Sequence, residues 1–363
     1  MICFPAKDVL QKNMSLLRLL LPLMFLGLSG CSNALYVSRL GWHQGFISHY
    51  SIPVEQILVD EQVDRRTKEK ILFVQEVKRY GEERLELKGR KNYSTFFGIK
   101  DSMLHVVTAS EKDRLRLHIW NFPIVGGVTY KGFFTREEAL KEKRRLDEQD
   151  YDTLVQQAGA YSTLGWLKDP IFSTMLKQDE ATLANLILHE TTHATVYVKG
   201  QTDFNEHLAT FIGNRGAIDF LREKYGPDSK QVMEAIHEQE DDLLIARWID
   251  HSCQRLSEFY DQPISRSEKL KGRGQIFQSI KDDFMKTKVQ LKTRGYRDFE
   301  KVQLNNAILL AHRRYILQLG KFETLYERLG RDLRSMVKFF REMPKGIDPF
   351  SYIEKSFVTQ RGE

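Results

Sequence analysis

In Leu183-Ala-Asn-Leu-Ile-Leu-His-Glu-Thr-Thr-His-Ala-Thr-Val-Tyr-Val198 two histidines stand four residues apart, with a glutamate directly after the first. The stretch has no proline or glycine and is preceded by Asp179, a residue that caps helices, so it reads as one helix. Four residues is about one turn, so His189 and His193 project from the same face and their nitrogens can converge on one ion. Glu190 is rotated about 100° from His189 and lies beside such an ion rather than on it. This is the HExxH arrangement, in which two imidazoles bind Zn2+ and the glutamate accepts a proton from water. With 10 His in 363 residues, the bare pattern arises by chance roughly 0.02 times in a chain of this length, so its setting matters. Apart from Glu190 and the histidines, Leu186 to Val198 carries no charge, as expected of a helix buried under a sheet.

A catalytic zinc site needs a third protein ligand and an open position. The pattern with glycine three residues after the second histidine and a further histidine three beyond that is excluded, because Val196 and Lys199 stand there. The next candidate is Glu206, in Asp203-Phe-Asn-Glu206 at the start of the following helix. Lys199-Gly-Gln-Thr202 gives a short reversal, which would pack the two helices antiparallel and return Glu206 towards the histidines. Two neighbours, Asp203 and His207, are weaker candidates by position. A competing reading is local: Asp203-x-x-Glu206 also fits a capping box, in which Glu206 would only close its own helix.

Upstream the texture differs. Ser51 to Glu86 reads helical on the spacing of Val54, Ile57, Ile71, Val74 and Val77. Lys91–Gly98, Met103–Thr108, Arg114–Trp120, Gly127–Tyr130 and Asp152–Gln156 are β-branched or aromatic runs and read as short strands. In Arg114–Trp120, Leu115, Leu117 and Ile119 alternate with Arg116 and His118, which predicts one buried and one wet face. Thr135-Arg-Glu-Glu138 opens a helix with a capping box. From Pro170 onward nearly all is helical, with breaks at Gly226-Pro227, Pro263, Gly295 and Gly320. The expected fold is α+β and zincin-like: a small mixed sheet with the HExxH helix, then a helical lobe. Residues 32–180 form its first part and 181–363 its second, together one catalytic unit.

The length suits one large or two modest domains. Lys+Arg 55 against Asp+Glu 49 leaves +6, too small an excess to argue for a nucleic-acid partner, and none is expected. Between Pro263 and Arg297 ten basic residues face three acidic ones, a bias that reads as a solvated helix face. Three cysteines cannot build a disulfide framework. The first 31 residues read as a processing signal: Arg18, an apolar run from Leu19 to Leu28, then Leu28-Ser29-Gly30-Cys31. That ending resembles a lipobox, which would make Cys31 the lipidated first residue of an envelope lipoprotein tethered to membrane. Ser32 after it points to the outer membrane, with the chain facing the periplasm.

Several linked blocks carry a family resemblance: Phe122-Pro-Ile-Val-Gly-Gly-Val-Thr-Tyr-Lys-Gly-Phe-Phe134, Ala160-Tyr-Ser-Thr-Leu-Gly-Trp166, Asp169-Pro-Ile-Phe-Ser-Thr-Met-Leu176, Leu188-His-Glu-Thr-Thr-His193 and Phe204-Asn-Glu206. Together they resemble the bacterial predicted-aminopeptidase lipoprotein family, zinc metallopeptidases of gluzincin type. The resemblance implies Zn2+ on His189, His193 and Glu206, Glu190 as general base and a peptide substrate. Its edge strand for extended substrate would fall on Gly159–Gly165, with Tyr161, Ser162 and Thr163 as substrate contacts. A donor for the developing oxyanion is sought in Leu304–Tyr315, where Tyr315 is preferred to His312. The rival reading is a non-catalytic envelope lipoprotein that serves as a scaffold or partner-binding protein; a Glu206 turned away from the histidines would favour it.

Overall fold

The computed structural model describes residues 31–89, 91–99, 104–122, 126–158, 168–316 and 319–359. The processing signal before Cys31 and the substrate contacts Tyr161, Ser162 and Thr163 lie outside them. The chain divides into two compact units after Gly45. Helix α1 spans Cys31–Tyr50. No helix among the described residues is long and apolar enough to cross a membrane.

The second unit is α+β. Among the described residues the chain has twelve α-helices and three small sheets. In the first sheet β1 (Ile52–Pro53) pairs antiparallel with β2 (Thr95–Phe97), which pairs parallel with β8 (Ile171–Phe172). In the second, β3 (His105–Glu111) is central, flanked antiparallel by β6 (Lys131–Phe133) and β7 (Tyr151–Gln157), with Val107 opposite both Lys131 and Val155. A hairpin joins β4 (Trp120–Phe122) to β5 (Gly126–Val128). The expected mixed sheet is thus split into three, of which one is mixed.

Helix α4 (Arg136–Glu148) covers the second sheet on one side and α9 (Asn306–Ile316) also packs on it. Its buried Glu142 ties strands together: the Trp120 indole donates to it at 3.0 Å, Arg145 at 2.9 Å and Lys131 at 3.4 Å. Burial alone would raise this carboxyl, but these donors hold it down at about 2.

Three sequence expectations are corrected. Ser51–Glu86 is not one helix: α2 (Val54–Val59) and α3 (Arg65–Arg84) are separated where Asp64 accepts the Thr67 N–H at 2.9 Å and starts a new helix. The apolar spacing continues across the gap, so periodicity alone hides the cap. Arg114–Trp120 is not a regular strand; only Leu117 bridges to Ser110, and Trp120 begins β4. Ile119, the intended core residue, is 55% exposed, while His118 packs its ring against Trp120 and Tyr151. The third concerns the HExxH segment. It forms α5 (Glu180–Thr195), whose main partners among the described residues are helices, α3, α6 (Thr202–Tyr225) and α7 (Lys230–Tyr260), rather than strands.

The sequence accounts for this burial. Asp179 accepts the Thr182 N–H at 2.8 Å and starts α5. Leu183, Ala184, Ile187 and Leu188 are fully buried. Thr191 and Thr192 are buried too, and their hydroxyls are satisfied by donating to the carbonyls of Ile187 at 2.6 Å and Leu188 at 2.8 Å. Small residues let α6 come close: a Cβ on Gly213 would lie 3.3 Å from His189 Cβ, and one on Gly216 2.9 Å from Leu188 Cδ1. The basic stretch after Pro263 lies largely on α8 (Arg266–Lys288). It is partly neutralised by carboxylates elsewhere, as in Arg266–Asp150 at 2.5 Å, Arg273–Asp152 at 2.7 Å and Lys292–Glu240 at 2.5 Å.

Candidate metal centre

α5 ends at Thr195, the chain reverses through Gly200 with φ +75°, and α6 begins at Thr202. The reversal is clamped from within. Asn205, buried in the first turn of α6, accepts the Val198 N–H at 2.8 Å and donates back to the Val198 carbonyl at 2.9 Å. The next residue is Glu206, so the clamp also sets where its side chain departs.

His189 Nε2 and His193 Nε2 are 3.1 Å apart, and Glu206 Oε2 lies 3.5 Å from the first and 3.6 Å from the second. Among the described residues, these three side chains form a group that could hold a metal ion. The dimensions are informative. Distances of 3.5–3.6 Å are too long for good hydrogen bonds. A tetrahedral zinc with ligand bonds of ~2.0–2.1 Å requires its ligand atoms to stand roughly 3.3–3.4 Å apart, close to all three edges found here. Two soft nitrogens and one carboxylate oxygen are also the donor set zinc takes. The residues therefore fit a divalent cation bound on three sides.

Glu206 is not a cap of its own helix: the N-cap position is Gln201, and no side chain caps that end. Its carboxylate is buried at 5% exposure. Burial would raise its pKa, but the electrostatic pull of His193 and His189 wins and holds it well below the ordinary range. For His193 burial pulls down, and Glu206 more than restores it, so its pKa is raised. Glu190 is partly accessible and turned off the triangle; burial raises its pKa, against the pull of both imidazoles. The result is one anchored carboxylate and one with raised proton affinity, two roles separated by environment.

Other sequence candidates fare differently. His207 is buried edge-on to Phe350 and is not among the three convergent groups, and burial pushes its pKa down to about 4. Asp203 lies in the first turn of α6 and is not among the three convergent groups. His312 is packed against the Phe299 ring, with centroids 5.1 Å apart, and burial pushes its pKa down to about 4; it is a core residue. Tyr315 falls on α9, but its side chain lies outside what the structure describes.

Three tyrosines near the centre escaped the sequence reading. The Tyr130 hydroxyl donates to Glu206 Oε1 at 3.2 Å. Tyr197 feels burial first and then the Glu206 charge, and both push its hydroxyl up. The fully buried Tyr93 is pushed well up, by burial first and then by Glu190. The sequence marks two of them only as members of resemblance blocks, Tyr130 in Phe122–Phe134 and Tyr197 in Val196-Tyr-Val-Lys199, without a role for either.

A cavity of about 610 Å3 opens one helical turn before His189, between Thr182 and Asn185 of α5, Glu238 and Asp242 of α7, and the loop at Tyr296. Burial and the charge of Asp179 push Glu238 up to about 7. Burial likewise pushes Asp242 up to about 6, although the Tyr296 hydroxyl donates to it at 2.6 Å.

Comparison with known proteins agrees with this geometry at the level of family. No curated protein and no solved structure matches the chain. The family described as "Putative aminopeptidase" matches residues 35–348, a span that contains both metal-facing helices, the Tyr130 block and most of the helical lobe, and the chain belongs to that family.

Proposed function

We propose that the chain is a zinc-dependent peptidase of aminopeptidase type. One observation carries the reading: His189 Nε2, His193 Nε2 and Glu206 Oε2 form a triangle with nearly the edges of a tetrahedral zinc site, and the half-buried Glu190, next in the chain to His189, is not part of it. When bound, zinc supplies Lewis acidity, lowering the pKa of a water at its open position to about 7 and polarising a carbonyl.

The chain's own groups do the rest. Glu190, with its proton affinity raised by burial, takes the proton that water loses as its oxygen adds to the peptide carbonyl. It then delivers that proton to the leaving nitrogen as the C–N bond breaks, giving a carboxylate and an amine. His189 and His193 would hold the cation through their Nε2 lone pairs, and Glu206 would bring the one negative charge of the triad. A Glu206 turned away from the histidines would have favoured the rival scaffold reading; its convergence on them supports the catalytic one.

The setting we propose is that of an envelope lipoprotein, anchored through Cys31 at the outer membrane and facing periplasmic peptides.

The test is Glu190→Gln in the purified full chain, with peptides bearing free and blocked amino termini. The variant should keep one zinc per chain and lose ~10²–10⁴-fold in turnover, and wild type should cleave only the free-amine peptides. Undiminished hydrolysis by Glu190→Gln rejects the mechanism; equal cleavage of blocked peptides rejects the aminopeptidase assignment.

A further inference from the structure

Glu206 uses its two oxygens differently. Oε2 faces the two imidazoles, while Oε1 accepts the hydroxyl of Tyr130 at 3.2 Å. We propose that Tyr130, braced by Arg314, is the positioning residue that aims Glu206 at the metal, holding Oε1 so that only Oε2 is offered to the cation. This deepens the metal reading above and rests on it.

Tyr130 lies in the two-residue link between β5 and β6, a segment fixed at several points. Gly126, at the start of β5, has φ +84°, and a Cβ there would lie 3.2 Å from the backbone nitrogen of Gly200. The hairpin therefore rests directly on the reversal between the two metal-facing helices. The Thr202 hydroxyl reaches the Gly127 carbonyl at 3.5 Å. Beyond Tyr130, Lys131 is tied to Glu142.

From α9, Arg314 reaches across to the same link. Its Nη2 donates to the Thr129 carbonyl at 3.1 Å, and its guanidinium carbon lies 4.9 Å from the centroid of the Tyr130 ring. Arg314 is 4% exposed. A buried guanidinium is costly unless paired, and here part of its compensation is the face of the very ring whose hydroxyl holds Glu206. The cation draws electron density from the phenol and strengthens the O–H as a donor.

The chemical consequence concerns coordination number. A carboxylate held by one oxygen binds a metal through the other, so three protein atoms are bound and one position stays open for water and substrate. Freed, Glu206 would have to be ordered each time an ion binds. Groups that orient a metal ligand in this way typically contribute 10–100-fold in affinity.

The experiment measures zinc affinity of the full-length chain by competition with a chromophoric chelator, together with thermal unfolding of the metal-free forms. Tyr130→Phe keeps the ring under Arg314 and should unfold within a degree or two of wild type without metal, yet bind zinc about 10–100-fold more weakly. A purely structural tyrosine would shift unfolding and leave affinity alone. Affinity within twofold of wild type overturns the proposal. Should Tyr130→Phe fail to fold, Arg314→Gln replaces it, with the same weakening expected and the same twofold limit overturning it. If wild type itself binds no zinc, the metal reading fails, which the chelator competition detects separately.

Discussion

Asn205 grips Val198 by both backbone groups, accepting from its N–H at 2.8 Å and donating to its carbonyl at 2.9 Å. This pair of bonds fixes the reversal between the two helices that bring His193 and Glu206 together. Asn205→Ala removes both and strands a buried N–H, at about 1–3 kcal/mol. Asn205→Asp keeps the acceptor but sets a buried carboxylate oxygen against the Val198 carbonyl, beside Glu206, so it should cost at least as much as the alanine. Urea unfolding of the three proteins gives the order, and zinc affinity should fall in step with it. An alanine variant as stable as wild type would show that the reversal is held elsewhere.

Zinc removal tests the triangle as a whole. A cation bound by the folded chain and not the unfolded one stabilises it by about 4 kcal/mol at a thousand times its Kd. Chelation of the metal-loaded protein should therefore lower Tm by about 5 °C for a chain of this length, and His193→Ala should be insensitive to both zinc and chelator. The raised pKa of His193 sets the pH dependence: proton and cation compete for the same nitrogen, so zinc affinity should fall as pH falls through the raised value. A wild-type Tm that ignores both zinc and chelator would reject the site.

The metal helix was readable because its signals are local: the Asp179 cap, the four-residue histidine spacing and an uncharged run all lie within twenty residues. Glu206 was within reach because one short reversal separates it from His193. What failed depended on distant partners. Ile119 alternates correctly for a strand, yet the segment meets β3 only over a short stretch, where Glu111 N–H donates to the Arg116 carbonyl and His118 N–H to the Ala109 carbonyl around the Leu117 bridge, and Ile119 beyond it is 55% exposed. Tyr130 could not be assigned because its role is created by Glu206, 76 residues on, and by Arg314 on a helix much later in the chain. A motif near the metal helix can thus be visible as a block and still have no assignable chemistry until the fold joins its ends.

The lipid anchor is tested in cells. Wild type should incorporate radioactive palmitate and sediment with outer membrane, and Cys31→Ala should do neither. Equal labelling of both would exclude Cys31 as the acceptor.

Close helix packing gives a prediction of opposite signs at two glycines. At Gly213 a new Cβ would sit 2.6 Å from Asn185 Oδ1 and 3.1 Å from the Asn185 carbonyl oxygen. The side-chain end is itself bonded to Asn214 and the carbonyl belongs to the metal helix, so neither yields freely. Overpacking of this kind costs about 1–3 kcal/mol, more than the ~1 kcal/mol that alanine gains over glycine in a helix. Gly213→Ala should therefore destabilise. Gly274, in α8, meets nothing within 4 Å, and Gly274→Ala should stabilise by up to about 1 kcal/mol. Two variants shifting the same way in thermal unfolding would contradict the packing argument.

Glu238 gives a pH signature separable from the metal. In the folded chain its pKa is pushed up to about 7, by burial first and by the charges of Asp179, Asp242 and Glu234, against the Thr182 hydroxyl that donates to it at 3.2 Å. Its ordinary value is 4.5. Between these values the folded chain holds a proton that the unfolded chain has released, so stability falls as pH rises from about 4.5 to about 7 and stays at the lower level above. Glu238→Gln removes the charge and keeps an acceptor for Thr182. Allowing for partial solvent screening, it should raise stability at pH 8 by about 1–2 kcal/mol and change little at pH 4.5. The comparison is best made on metal-free protein, so that proton competition at His193 does not enter. Stability curves that run parallel for the two proteins from pH 4.5 to 8 would mean that Glu238 ionises in the cavity without penalty, and that the acidic wall beside the metal helix is solvated rather than strained.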